Sequence, residues 1–295
     1  MEDIQTEAFV LRTRAYGESD VIAVLLTADH GKLAGIARGA RRSKKRFAGP
    51  ALEPFQQLTV RFARRPHADL AFLHECRIVR SHHGIAADLP TFAWASYLCE
   101  LSEVMTPERD PCPELFAAFE STIALLAASV SEPTGARPDV IAHRFIIGLL
   151  DWAGWGPDFD VCGRCSADME PALRPIVDPR GSGLMCARHE AESAGHDPDD
   201  PAYQPSRRVV DTHLLQYVRA LRGDRGEPSG TDAATSDGGD EGSEGVDADA
   251  VREVADVPEL DELGATATAL LHRLVDLHVG RALRSRRFLA EVTRP

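Results

Sequence analysis

Val21-Ile22-Ala23-Val24-Leu25-Leu26-Thr27-Ala28-Asp29-His30-Gly31-Lys32-Leu33-Ala34-Gly35-Ile36-Ala37 is the stretch that decides the fold of this chain. Two short apolar runs, 21–26 and 33–37, flank Asp29-His30-Gly31-Lys32, which supplies the Asp and Gly that a turn requires. The pattern continues outward, with apolar runs at 8–11, 58–62 and 70–73. Their separators are Tyr16-Gly17-Glu18-Ser19-Asp20 and Arg64-Arg65-Pro66-His67. Five short strands within the first 80 residues predict a closed or nearly closed barrel, and the OB type is the commonest five-stranded solution.

Directly after the third run comes Arg38-Gly39-Ala40-Arg41-Arg42-Ser43-Lys44-Lys45-Arg46-Phe47, six cations in nine residues followed by an aromatic. The chain as a whole carries a net charge of −13. Residues 1–80 hold 14 Lys/Arg against 9 Asp/Glu, whereas residues 81–295 hold 19 against 37. An acidic protein that concentrates cations in one loop is equipped to hold a polyanion there. The run follows the third strand, so it lies at or beside the barrel face and loops that commonly take single-stranded nucleic acid. Seven bases and no acid between Lys32 and Arg46 repel one another unless an anion is present. Phe47 either stacks on a base or anchors its own loop.

Beyond residue 80 the spacing turns helical. Phe92, Trp94, Ala95, Leu98, Leu101, Val104 and Met105 recur three and four apart, and residues 115–130 and 140–152 do the same. Pro113 and Pro138 mark helix starts, and Gly154 and Gly156 fall just past an end. Stretches 207–222 and 260–284 complete a five-helix bundle, with Trp94, Tyr97, Phe116, Phe119, Phe145 and Trp152 as core. Residues 223–262 hold 14 Asp/Glu against Arg225 and Arg252. Such a segment buries too little apolar surface to offset its chain entropy, so about 224–257 reads as a disordered acidic insertion.

Cys162-Gly163-Arg164-Cys165 and Cys186-Ala187-Arg188-His189 interrupt the helical region. Two knuckles, C-x2-C and C-x2-H, joined by a hairpin-like segment, bring four ligands together with the spacing of a structural zinc ribbon. Cys162, Cys165, Cys186 and His189 are the expected ligands, with His196 the rival for the fourth place. Four protein ligands leave no open coordination position for catalysis. Cys76, Cys99 and Cys112 read as small buried hydrophobes, and His82-His83 as polar surface.

The 295 residues suggest about two domains. We expect an OB-fold domain over 1–80 and a helical domain over 81–295, with the zinc insertion at about 159–192. No run approaches the roughly 18 apolar residues of a membrane span, and Met1-Glu2-Asp3 does not open a signal peptide. A cytoplasmic protein with reduced or metal-bound cysteines is therefore expected. No GxSxG elbow, P-loop, HExxH helix or dinucleotide fingerprint is present, which favours a binding protein over an enzyme.

The order of basic barrel, helical bundle and inserted zinc ribbon resembles the bacterial DNA repair protein family RecO. Four local matches carry the resemblance. They are Ala8-Phe9-Val10-Leu11 leading to Tyr16-Gly17-Glu18-Ser19-Asp20, and Arg38-Gly39-Ala40-Arg41-Arg42-Ser43 with Leu52-Glu53-Pro54-Phe55. The others are Arg144-Phe145 and Leu149-Leu150 leading to Gly154-Trp155, and residues 280–289, Gly280-Arg281-Ala282-Leu283-Arg284-Ser285-Arg286-Arg287-Phe288-Leu289.

The resemblance implies a recombination mediator without enzymatic turnover, associated with the nucleoid. It implies binding of single- and double-stranded DNA, annealing of complementary strands and, with RecR and in some pathways RecF, loading of RecA onto DNA coated by single-strand-binding protein. Lys32, Arg38, Arg41, Arg42, Lys44, Lys45 and Arg46 would neutralise DNA phosphates, with Arg61, Arg64 and Arg65 flanking them. Arg144 is the candidate to meet the acidic tail of single-strand-binding protein. His189 stands where a fourth cysteine is common in the family, an exchange that zinc tolerates.

Three other readings compete. A zinc-containing transcription factor would need a recognition helix, yet the cations lie between strands. A nuclease would need clustered carboxylates near the basic face. A protein-only adaptor would not bind DNA.

Overall fold

The computed structural model describes residues 3–43, 45–47, 50–64, 68–131, 137–169, 176–178, 183–197, 210, 212–222 and 260–293. The chain forms two compact units, residues 1–145 with 281–295, and residues 146–280.

The first unit begins with the expected barrel. Strands β1 (Asp3–Tyr16), β2 (Asp20–Thr27), β3 (Gly31–Ala37), β4 (Gln57–Ala63) and β5 (Ala71–Arg80) close in the order β1-β2-β3-β5-β4. The β3–β5 pair is parallel and the other neighbours antiparallel. Period-2 patterning drives closure: Val10, Leu25, Leu33, Leu58, Val60, Phe62 and Leu73 all point inward and are essentially fully buried. Each such side chain contributes about 1.5–3 kcal/mol on burial, and truncating Phe62 to Ala costs about 3–5 kcal/mol.

A register shift in β1 between Val10 and Arg12 changes which positions face the interior. One extra residue inverts side-chain parity along a strand. Before the shift Ala8 and Val10 enter the core; after it Arg12, Arg14 and Tyr16 face outward.

Three helices follow. In α1 (Leu89–Met105), Asp88 is the N-cap, its Oδ2 accepting from the Thr91 N–H at 2.9 Å and the Thr91 hydroxyl at 2.6 Å. α2 (Pro113–Ser131) and α3 (Pro138–Trp152) each start at a proline, where a missing N–H costs nothing. Phe9 of β1 packs against Phe116 and Phe119 at 5.5 and 5.3 Å between ring centroids, and Phe119 against Phe145 at 5.7 Å. The barrel and these helices therefore share a core. By length and composition α2 is apolar enough to cross a membrane, contrary to the reading of the sequence, but its Leu115, Phe116, Phe119, Ile123 and Leu126 are buried inside the unit.

The second unit contains a ribbon of β6 (Ile176–Val177) and β7 (Leu184–Met185), then α4 (Ala187–Ser193), α5 (Thr212–Arg222) and α6 (Leu260–Val279). Arg222 ties it together. Its guanidinium donates to Asp151 at 3.0 Å and to the Pro157 carbonyl at 2.8 Å, and lies 5.0 Å from the Phe159 ring centroid.

Three expectations require correction, and one element is new. Residues 260–284 do not form one helix: α6 ends at Val279, Gly280 takes the left-handed φ of 66°, and α7 (Arg284–Val292) starts anew within the first unit. The short helix α4 was not anticipated. Trp152 is 37% exposed rather than core. His82 is buried and stacks on Phe9 at 6.2 Å, while His83 remains exposed. The acidic insertion expected at 224–257, Lys44 and Arg65 lie outside the described residues.

Candidate nucleic-acid interface and metal centre

The basic loop is fixed at several points. Ala37 pairs with Val21, so the chain leaves β3 beside the start of β2. Gly39, at φ 66°, turns it into a 3-10 turn over Ala40–Arg42, a bend that a side chain at this position would strain. The Gly39 N–H donates to Asp20 Oδ1 at 2.8 Å and the Arg41 N–H to the Ser19 carbonyl at 3.0 Å. Ala40 and Phe47 both enter the barrel core. The Arg46 carbonyl accepts from the Cys76 N–H at 2.8 Å. Between these anchors Arg41, Arg42, Lys45 and Arg46 are exposed, as is Arg38 just before them.

Phe47 is thus an anchor, 4% exposed and inaccessible to a base. Arg38 lies 5.3 Å from the Phe72 ring centroid, and Arg46 donates to the Arg38 carbonyl at 3.0 Å. Arg42 approaches Glu18 at 3.4 Å, both highly exposed, a pair worth at most about 1 kcal/mol. The loop therefore keeps a cationic surface that an anion can engage. Asp20 and the Gly17–Ser19 turn, which position this loop, were missed as site residues. Their signal was the carboxylate that opens β2, set opposite the glycine two residues past the end of β3.

Lys32 does not join this group. It lies at the opposite end of β3, about 20 Å along the strand from Arg38, and its Nζ donates to the Glu103 carbonyl at 2.7 Å. Burial pushes its ammonium below the usual range, against the opposing pull of Glu108 and Glu103. Arg61 is paired with Asp3 at 3.0 Å and Glu75 at 3.8 Å, and Arg64 is half-buried. Arg144 is half-buried on α3 between the buried His143 and Phe145.

In the second unit the Cys162–Cys165 knuckle folds on itself, with the Cys162 N–H donating to the Ala167 carbonyl and the Ser166 N–H to the Cys162 carbonyl, both at 2.8 Å. The Gly163 N–H reaches the Leu184 carbonyl at 2.8 Å and so joins this knuckle to β7. The chain then enters α4, whose first turn carries His189.

The ligand atoms of Cys162, Cys165, Cys186 and His189 all lie within 4.8 Å of one another. His189 Nδ1 is 3.2 Å from Cys186 Sγ and 3.7 Å from Cys162 Sγ. Zn–S bonds of about 2.3 Å in a tetrahedron separate ligand atoms by roughly 3.8 Å, so this donor set fits a metal ion. Burial pushes the Cys162 thiol up, but backbone N–H donors from Arg164, Cys186 and Cys165 outweigh it and bring the pKa down to about 6. Burial and the neighbouring Cys162 thiolate push Cys186 up. A metal ion would hold both as thiolates. Glu192 places a carboxylate 3.8 Å from His189 Nε2, on the side where metal-bound imidazoles usually find a second partner.

The remaining cysteines are buried. Burial pushes Cys76 up to about 12 and Cys99 and Cys112 upward as well, which keeps them as unreactive thiols.

Two family models match the chain: "Recombination protein O N terminal" over residues 1–82 and "Recombination protein O C terminal" over residues 86–218. A curated relative from Anaeromyxobacter sp. (strain Fw109-5), named DNA repair protein RecO, is 33% identical over 99% of this chain and 97% of its own length. One of the same name from Myxococcus xanthus (strain DK1622) is 33% identical over 99% of both chains. Another, from Bifidobacterium adolescentis, is 31% identical over 79% of this chain and 87% of its own.

Proposed function

The chain belongs to the recombination protein O family of DNA repair proteins, and on that premise we propose that it is a non-enzymatic mediator of recombinational repair. Residues 1–80 serve as the nucleic-acid-binding domain, and residues 81–295 as a helical domain carrying the metal ribbon. The observation that carries this reading is the anchored cationic loop, whose exposed arginines and lysine project from the barrel rim.

Arg38, Arg41, Arg42, Lys44, Lys45 and Arg46 neutralise phosphates and release counterions, which gives affinity without reading sequence. Lys32, at the other end of β3, serves a more distant contact. Two strands held with their charge screened and their base edges free can anneal. With RecR, and with RecF in some pathways, the protein loads RecA onto DNA coated by single-strand-binding protein. Arg144 meets that protein's acidic tail.

Cys162, Cys165, Cys186 and His189 hold a structural zinc ion, which cross-links the knuckles and provides no open position for catalysis.

The test is a salt titration of single-stranded and duplex oligonucleotide binding by the full chain, with a strand-annealing assay alongside. Salt-sensitive binding and accelerated annealing are expected. Absence of binding at low salt would leave a protein-only adaptor.

A further inference from the structure

The outer face of β1 extends the cationic loop into a path. From Arg12 to Tyr16 the register with β2 is uninterrupted, so residues 12, 14 and 16 share one face. Thr13 lies opposite Ala23, a barrel-core residue, which places the other set outside. Arg14 is exposed and makes no hydrogen bond or ion pair among the described residues. Tyr16 is 53% exposed, although burying its ring would have been favourable.

Both ends of this row meet further cations. At the Tyr16 end the next turn touches the basic loop, since Arg41 donates through its N–H to Ser19 and through Nη1 to the Glu18 carbonyl at 3.3 Å. At the other end Arg12, held by Glu103 at 2.7 and 2.8 Å, lines a cavity of about 370 Å³ with Phe55, Glu100, Glu103, Arg281 and Arg284. Three guanidinium groups there face two carboxylates that are themselves engaged by Arg12 and by the start of α7. Phe55 adopts the left-handed φ of 70°, a strained conformation for a bulky residue, and such strain concentrates at binding sites.

We propose that a single DNA strand runs along β1 from the basic loop to this cavity. Tyr16 stacks one unpaired base and Arg14 neutralises a phosphate beyond it; Arg281 and Arg284 receive the strand at the far end. The occupant is single-stranded because a duplex keeps its bases stacked inside and offers none to Tyr16. Asp20, opposite Tyr16 in the ladder, keeps its negative charge but is turned toward the Gly39 N–H and the Ser19 hydroxyl, from which it accepts at 2.8 and 3.2 Å. Arg41, bonded to the Ser19 and Glu18 carbonyls, stands in the same turn to offset that charge. This path rests on the DNA-binding reading above.

The experiment measures binding of an oligothymidylate of about 15 nucleotides and of a duplex of equal length, using fluorescence anisotropy and the full chain. Tyr16→Ala is expected to weaken single-strand binding roughly 5- to 100-fold while leaving duplex binding unchanged. Tyr16→Phe retains wild-type affinity. Arg14→Gln lowers the single-strand salt slope by about 0.7. Tyr16→Ala that binds the oligothymidylate like wild type, or that loses both ligands equally, overturns the path and leaves the DNA-binding reading standing. Wild-type protein that binds neither ligand at low salt overturns both.

Discussion

Glu100 of α1 closes the amino end of α7 through Ser285: Oε2 accepts from the Ser285 hydroxyl at 2.6 Å and from its N–H at 2.7 Å. Oε1 accepts from the Arg284 N–H at 3.0 Å. No side chain within α7 caps this end, so a carboxylate from another helix supplies acceptors to N–H groups left unpaired by helix geometry. The contact fastens α7 to α1 within the first unit, next to the cavity at the end of β1.

Glu100→Ala is expected to destabilise the first unit by about 1–2 kcal/mol, read from chemical denaturation. Burial alone would raise the Glu100 pKa, but donors from Ser285 and Arg284 and the charge of Arg281 outweigh it and leave the pKa below 4.5. The folded state therefore holds its proton less tightly than the unfolded chain. The stabilisation is fully present above pH 4.5 and is lost as pH falls below it, so wild type and variant should converge in acid.

His82 makes stability depend on pH in a higher window. Burial, with help from Arg80, lowers its pKa from 6.5 to about 4, and its Nε2 has no hydrogen-bond partner among the described residues. The unfolded chain takes the proton first, so stability is intact above pH 6.5 and declines as pH falls toward 4. The expected loss at pH 5 is about 2 kcal/mol. His82→Phe, which retains a ring against Phe9, should remove that part of the pH dependence. Parallel pH profiles of the two proteins would exclude it.

The metal centre predicts an order of effects. Purified protein should contain about one equivalent of zinc, and both Cys162→Ser and His189→Ala should lose most of it. The second unit should then lose several kcal/mol of stability, because structural zinc contributes apparent free energies of about 10–16 kcal/mol. Glu192→Gln should weaken zinc affinity, by up to about 10-fold, if the carboxylate beside His189 Nε2 closes onto the imidazole when metal binds. His196→Gln should keep the metal. Elemental analysis combined with chelator competition distinguishes these outcomes.

Charge and anchoring in the basic loop are separable. Reversing Arg41, Arg42, Lys44 and Lys45 to Glu should lower the salt slope for single-strand binding by about 3, at about 0.7 per phosphate contact. Phe47→Ala should cost about 3–5 kcal/mol of stability through the cavity it leaves. Phe47→Leu should bind DNA within about twofold of wild type, because the ring lies inside the barrel.

Local chemistry made much of this protein legible from its residues. Apolar runs at period 2 separated by Gly and Asp are short-range signals, and all five barrel strands stand where those runs lie. The C-x2-C and C-x2-H spacing is a similarly local statement about ligands. Other features were set by contacts between residues far apart in the chain. Whether His189 or His196 joins the three cysteines depended on where α4 places its first turn. Lys32 and Arg38 belong to one basic run, yet the rigid length of β3 sends them to opposite ends of the barrel.

The burial of His82 followed from Phe9, 73 positions earlier in the chain, and the exposure of Tyr16 from a one-residue shift that inverts β1. The break at Gly280 became a separate helix because Glu100, far back in the chain, offered its carboxylate to the start of α7. Sequence by itself determined the barrel, the pairing of the two knuckles and the cationic loop, since turn chemistry and side-chain periodicity act over a few residues. Tertiary structure alone decided which cations stand together and which aromatic stays exposed, because those depend on strand register and on partners the chain meets only once folded.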